Sequence, residues 1–99
     1  MKINVSSIKF KVDSKLETLI KEKIEKLSNH YDSIISSDVV LKLSNTSLEE
    51  NKIVEIRLAI KGNDIFSKKQ NKTFEEALDN ATDALKKQLT KHKSKIKKL

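Results

Sequence analysis

The chain has 99 residues, of which 36% are hydrophobic and 35% charged, with no cysteine, no proline and one glycine. This is enough for one domain with one core. Disulfides, zinc knuckles and thiol chemistry are excluded by the missing cysteines, and a phosphate-cradling loop cannot be built around Gly62 alone. The net charge of +7 is localised: residues 1–85 hold 14 Lys plus Arg against 14 Asp plus Glu, so the excess is the seven lysines of "KKQLTKHKSKIKKL", Lys86 to Leu99. Such asymmetry speaks to partners more than to fold, and polyanions or anionic membranes are the candidates.

The longest apolar runs, such as "VVL" at 39–41, are too short for a membrane span. The N-terminus "MKINVSSIKFKVD" alternates and carries charges, unlike a signal peptide, so the expected location is cytoplasmic. Residues 2–6, "KINVS", put Ile3 and Val5 on one face of a first strand. From Asp13 to about His30 the period becomes helical, with Leu16, Leu19, Ile20, Ile24, Leu27 and Tyr31 at three- and four-residue steps. "SKLE" has the form of a capping box, and either Asp13 or Ser14 can serve as N-cap.

From Asp38 the pattern has period two. "DVVLKLS" places Val39, Leu41 and Leu43 on one side. "IVEIRLAIK" places Val54, Ile56, Leu58 and Ile60 opposite Glu55, Arg57, Ala59 and Lys61, so each strand has one buried and one wet face. "NTSLEEN" between them has the composition of a mobile hairpin loop. "KGND" signals a turn into a short further strand at "DIFSKK". "TFEE" opens a last helix whose stripe of Phe74, Ala77, Leu78, Ala81, Leu85, Leu89, His92, Ile96 and Leu99 runs to the C-terminus.

The order β-α-β-β-β-α predicts an α+β two-layer sandwich: a four-stranded, antiparallel-rich sheet with two helices packed on one face and the other face wet. No repeat or linker interrupts it, and residues 1–99 read as a single domain.

Catalysis needs a nucleophile or acid/base pair held in a cleft, and none is recognisable. His30 and His92 are not at a metal-ligand spacing. His92 lies on the apolar stripe and reads as a packing residue, and His30 falls near a helix C-terminus, where a cation is mildly favoured. The chain reads as non-catalytic, with no cofactor or metal site.

The lysine run therefore forms the second half of an amphipathic helix. Lys87, Lys91 and Lys95, extended by Lys98, make one row; Lys86, Lys93 and Lys97 make another on the opposite flank of the Leu85, Leu89, His92, Ile96 seam. Pairs such as 87/91 and 93/97 repel by about 0.2–0.5 kcal/mol each. Placement near the helix C-terminus returns only about 0.3–1 kcal/mol. Structural support does not motivate the arrangement, whereas a phosphate backbone would; a solvated lysine face kept for solubility is the alternative, since screened surface charge costs little. In helix 1, Lys23 sits at the border of the apolar arc and Lys26 follows it; both extend the positive surface if the helices pack side by side. With three Phe and one Tyr, base stacking is a poor match, and structured RNA read by shape a better one. No Trp or Phe follows Phe74 on the stripe to anchor it in a membrane interface.

The residues also resemble a known family. "MKINVSS", "KEKIEKL" at 21–27, "DVVLK" and above all "QLTKHKSKIKK" at 88–98 resemble the short form of the ribosome hibernation promoting factor family, which includes the ribosome-associated inhibitor, over essentially the whole chain. The chain departs from the family pattern at Ala84, where Lys is common, and at "KTFEEA". The resemblance implies a domain laid out like double-stranded RNA-binding domains. It would dock on the small ribosomal subunit of idle ribosomes, occlude the mRNA and tRNA paths during stress, and leave any ribosome dimerisation to a separate modulation factor. Carried over by position, the rRNA contacts would be Lys23, Lys26, Lys86, Lys87, Lys91 and Lys93. A generic double-stranded RNA-binding module is the alternative.

Overall fold

In the computed structural model, residues 2–44 and 49–97 are described, with side chains described as far as Lys91. The elements are β1 (Lys2–Ser7), α1 (Ser14–His30), β2 (Ile34–Leu43), β3 (Lys52–Ile60), β4 (Asn63–Asn71) and α2 (Phe74–Lys97). This is the expected β-α-β-β-β-α order. The strands lie in the sheet as β1-β2-β3-β4. β1 runs parallel to β2, because α1 carries the chain back between them, and the remaining pairs are antiparallel.

Helix α1 starts where its cap dictates. The Asp13 side chain accepts a hydrogen bond from the Leu16 N–H at 2.7 Å, which settles the choice between Asp13 and Ser14 and satisfies one of the first-turn donors. At α2 the Thr73 hydroxyl accepts from the Glu76 N–H at 3.1 Å, the forward half of the capping box. The β3–β4 hairpin closes on Lys61 and Gly62, between the paired residues Ile60 and Asn63; Gly62 takes φ 85, where a side chain would be strained. Residues 45–48 of the predicted "NTSLEEN" loop lie outside the described residues.

The helices cover one sheet face. Ile20, Ile24 and Leu27 of α1 and Ala77, Leu78, Ala81, Leu85 and Leu89 of α2 form one buried cluster with Val39, Leu41, Val54, Ile56, Leu58 and Ile60. The alternation read in β3 is the one observed. Two strands are longer than expected: β2 begins at Ile34 instead of Asp38, with a register shift between Ile34 and Ser36, and β4 covers nine residues. The serines of "IISS" hide the first extension, and the polarity of both faces of "SKKQN" hides the second; pairing with β3 holds these residues in the sheet. Leu43, expected inside, is exposed. Thr82, absent from the predicted stripe, is buried and bonds back to the Leu78 and Asp79 carbonyls at 3.0 Å. A buried hydroxyl that satisfies itself on its own helix carries no apolar signal in the sequence.

Candidate nucleic-acid interface

Since α1 and α2 each follow a strand and cross back over the same sheet face, they lie side by side and parallel, with the C-terminal half of α1 against the Asp79–Thr90 stretch of α2. Two contacts mark the seam: an ion pair between Lys23 and Asp79, and a hydrogen bond between the Tyr31 and Thr90 hydroxyls at 3.0 Å. From the first to the second, the chain advances toward the C-terminus in both helices.

These contacts also sort the lysines of α2, where successive residues turn by about 100°. Asp79 and Thr90 fix the flank that faces α1. Lys86 follows Asp79 by seven residues and so lies on that flank, beside Lys23 and Lys26. The opposite flank is fixed by Asn80, which donates to Asn71 of β4 at 3.1 Å, and by Gln88, which donates to the Phe66 carbonyl at 3.0 Å. Lys87 follows Asn80 by seven residues and Lys91 follows Gln88 by three, so both belong to the β4 side. All of Lys26, Lys86, Lys87 and Lys91 are exposed. The side chain of Lys93 lies outside the described residues, as do those of His92 and Ile96.

Lys23 makes contact across the helix seam, Lys26 and Lys86 lie by helical register on the same side, and Lys87 and Lys91 lie on the β4 side. Lys23 is half-buried and already occupied by Asp79. Such a partly exposed pair stabilises by only about 0–1 kcal/mol, weak enough for a phosphate to displace the carboxylate. Sequence reasoning passed over His30 as a surface candidate. It follows Lys23 by seven residues, is exposed and stands in the last turn of α1, on the flank turned toward α2. The seven-residue step from Lys23 was the signal available.

On the other side of the sheet the charges are compensated locally. Lys42 and Lys68 both approach Glu55, at 2.8 and 3.9 Å. Asn4 donates to Asp38 at 2.9 Å, and the Arg57 guanidinium lies over the Phe66 ring, 5.9 Å from its centroid. On the helices, Lys26, Lys86, Lys87 and Lys91 form no ion pair among the described residues. Among the described residues no helix is long and apolar enough to cross a membrane, and no three His, Cys, Asp or Glu side chains converge as a metal site would require.

A mixed four-stranded sheet with two parallel helices on one face defines a class of small two-layer α+β domains. Within that class the chain belongs to the Sigma 54 modulation protein / S30EA ribosomal protein family, whose model matches residues 3–97. It is 28% identical over 99 residues to the ribosome hibernation promoting factor of Pseudomonas putida, covering 100% of this chain and 93% of that one. It is 28% identical over 97 residues to the protein of the same name from Escherichia coli K12, covering 98% of each. In fold it resembles a ribosomal subunit interface protein from Coxiella burnetii, with TM-score 0.84 and 19% identity over 95% of this chain and 99% of that one. The N-terminal domain of Thermus thermophilus Protein Y gives TM-score 0.79 at 19% identity, over 93% and 99%. The family assignment agrees with the non-catalytic reading of the sequence.

Proposed function

We propose that this chain is a non-catalytic, ribosome-associated inhibitor of translation, acting as one domain in the cytoplasm. It docks on the small ribosomal subunit of idle ribosomes by laying its helical layer on rRNA phosphates, and there it occludes the paths of mRNA and tRNA. The observation that carries this reading is that Lys26, Lys86, Lys87 and Lys91, which form no ion pair among the described residues, stand on the helical layer with Lys23 at the seam, and that α2 carries most of the segment holding the chain's whole net charge. Relatives named ribosome hibernation promoting factor support a ribosomal partner. Lys93 is proposed as a further contact to the same rRNA. Dimerisation of ribosomes would rest on a separate modulation factor.

The mechanism is steric and electrostatic. Phosphate contacts position a protein without reading sequence, and a rigid helix pair presents those contacts at fixed spacing. Specificity for the ribosome then comes from the shape of the RNA that can meet both flanks of α2 at once. Neutralising about five phosphates gives a log-log dependence of affinity on salt with a slope on the order of −4.

Sedimentation through a sucrose gradient with purified ribosomes tests the reading. The chain should migrate with the small subunit and be displaced by mRNA plus tRNA. Equal affinity for isolated RNA duplexes and for ribosomes would instead identify a generic double-stranded RNA binder. Within this reading, Asp79→Asn should tighten small-subunit binding about two- to tenfold, because it frees Lys23 and removes a carboxylate beside the phosphates. Thermal stability should fall by no more than about 1 kcal/mol. A loss of affinity would show instead that Asp79 holds Lys23 in its working position.

A further inference from the structure

The inward face of β4 breaks the pattern of the sheet. Register puts Ser67, Lys69 and Asn71 on the same side as Ile56, Val54 and Lys52, facing α2, where β2 and β3 carry Val, Leu and Ile. Departures from local sequence rules gather at functional sites. The facing stripe of α2 answers with polar residues as well, Asn80, Lys87 and Gln88, and with Ala84 between them. Ala84 has no side chain beyond Cβ and so leaves the space between strand and helix unfilled. Strand and helix leave a groove of about 630 Å³, within the range of roughly 300–1,000 Å³ of small-ligand sites.

The chemistry of the groove is ordered. Lys69 stands on the strand wall and Lys87 on the helix wall, with the Asp83 carboxylate on the same helix. Among the described residues none of these three forms an ion pair. The bonds from Asn80 to Asn71 and from Gln88 to the Phe66 carbonyl hold both amides in place and leave the carbonyl oxygens of Asn80 and Gln88 free to accept. Cations on two walls with fixed acceptors between them complement a nucleotide, whose phosphates are anionic and whose base edge offers amino donors. Proteins that read RNA take hold of bases that are unpaired.

We propose that the groove between β4 and α2 receives one unpaired nucleotide of the bound RNA. Its flanking phosphates lie on Lys69 and Lys87, and its base edge meets the Asn80 and Gln88 amides and the Asp83 carboxylate. Asp83 selects a base with an exocyclic amino group, because the amino group donates to the carboxylate where the uracil carbonyl would be repelled. The inference rests on the RNA-binding reading above and adds a pocket to its phosphate contacts.

Fluorescence anisotropy with labelled hexacytidylate and hexauridylate at neutral pH and low salt tests it on the full chain. Hexacytidylate should bind at least fivefold tighter. Asp83→Asn should bring the two within about twofold, with the uridylate affinity rising. Ala84→Leu fills the groove without changing charge or helix propensity much. It should weaken hexacytidylate at least tenfold while a blunt RNA duplex changes by less than twofold. If circular dichroism shows that this variant is misfolded, Lys69→Gln serves in its place and should weaken both hexamers several-fold. Failure of wild type to prefer cytidylate, a preference that survives Asp83→Asn, or indifference of cytidylate binding to the groove variant would each overturn the proposal. Co-sedimentation of wild type with small subunits separates the two readings. If it holds while the groove variants have no effect, the groove falls alone; if it fails while the hexamer pattern appears, the ribosomal reading falls alone.

Discussion

Reversing charge at both Lys87 and Lys91, as Lys87→Glu with Lys91→Glu, should lower affinity for small ribosomal subunits by about a hundred- to a thousandfold while leaving the fold intact. The double change moves four charge units beside a phosphate backbone. At about 1 kcal/mol per exposed pair at contact distance, that amounts to roughly 3–4 kcal/mol, and each 1.4 kcal/mol is tenfold in affinity. Stability should hardly move. Both side chains are exposed, and the repulsion between them, about 0.2–0.5 kcal/mol, is kept in the new pair with the opposite sign. Both positions precede the last turn of α2, which ends at Lys97, so the helix dipole adds little; the new carboxylate at position 87 meets Asp83 at i,i+4, at a cost of about 0.2–0.5 kcal/mol. The neutral pair Lys87→Gln with Lys91→Gln should fall between wild type and the reversal, and should flatten the salt dependence by about two units of slope. Sedimentation of the reversed variant unchanged with small subunits, with circular dichroism confirming its fold, would refute the proposed docking face.

The same comparison separates the two flanks of α2. Lys86 shares its flank with Lys23 and Lys26, whereas Lys87 and Lys91 overlook β4. If the rRNA wraps both flanks, reversal of Lys26 with Lys86 should cost about as much as reversal of the β4-side pair. A large difference between the two would show which shoulder carries the contact.

Much of this was legible because period and cap signals are local. Strand β3 alternates so regularly that its two faces could be assigned residue by residue. The rows 87/91 and 86/93 followed from helical spacing alone. What could not be read was long-range. Nothing near Lys23 in the chain announces that Asp79, 56 residues later, occupies its ammonium; this needs the parallel packing of α1 on α2. The polar inward face of β4 hid its length and its groove for one reason: alternation is visible only when one face is apolar. The exposed Leu43 makes the converse point, since the pattern gives a residue's side of the strand, while burial depends on what covers that side.

Leu89→Ala should abolish tight binding without touching a charge, and the reason lies in how the lysines are held. Leu89 is 1% exposed and joins the buried cluster that seats α2 on the sheet. Truncating a buried leucine costs about 2–5 kcal/mol, against a total stability of about 5–15 kcal/mol for a domain, so the melting temperature should drop by about 10 °C or more. The loss should be felt first in the part of α2 that Leu89 seats on the sheet. Amide exchange over residues 86–97 should accelerate by a larger factor than exchange in β2 and β3. Below the melting transition the variant carries every lysine of the wild type, yet the lysines are no longer spaced by a docked helix. Its affinity for small subunits should fall by about tenfold or more, whereas Leu89→Met, which conserves volume at a cost below about 1.5 kcal/mol, should bind nearly as wild type. Wild-type affinity in Leu89→Ala, measured where the sheet is still folded, would show that the basic segment acts as a charged tail. Loss of affinity there, recovered in the methionine variant, would show that the order imposed by the seam gives the lysines their function.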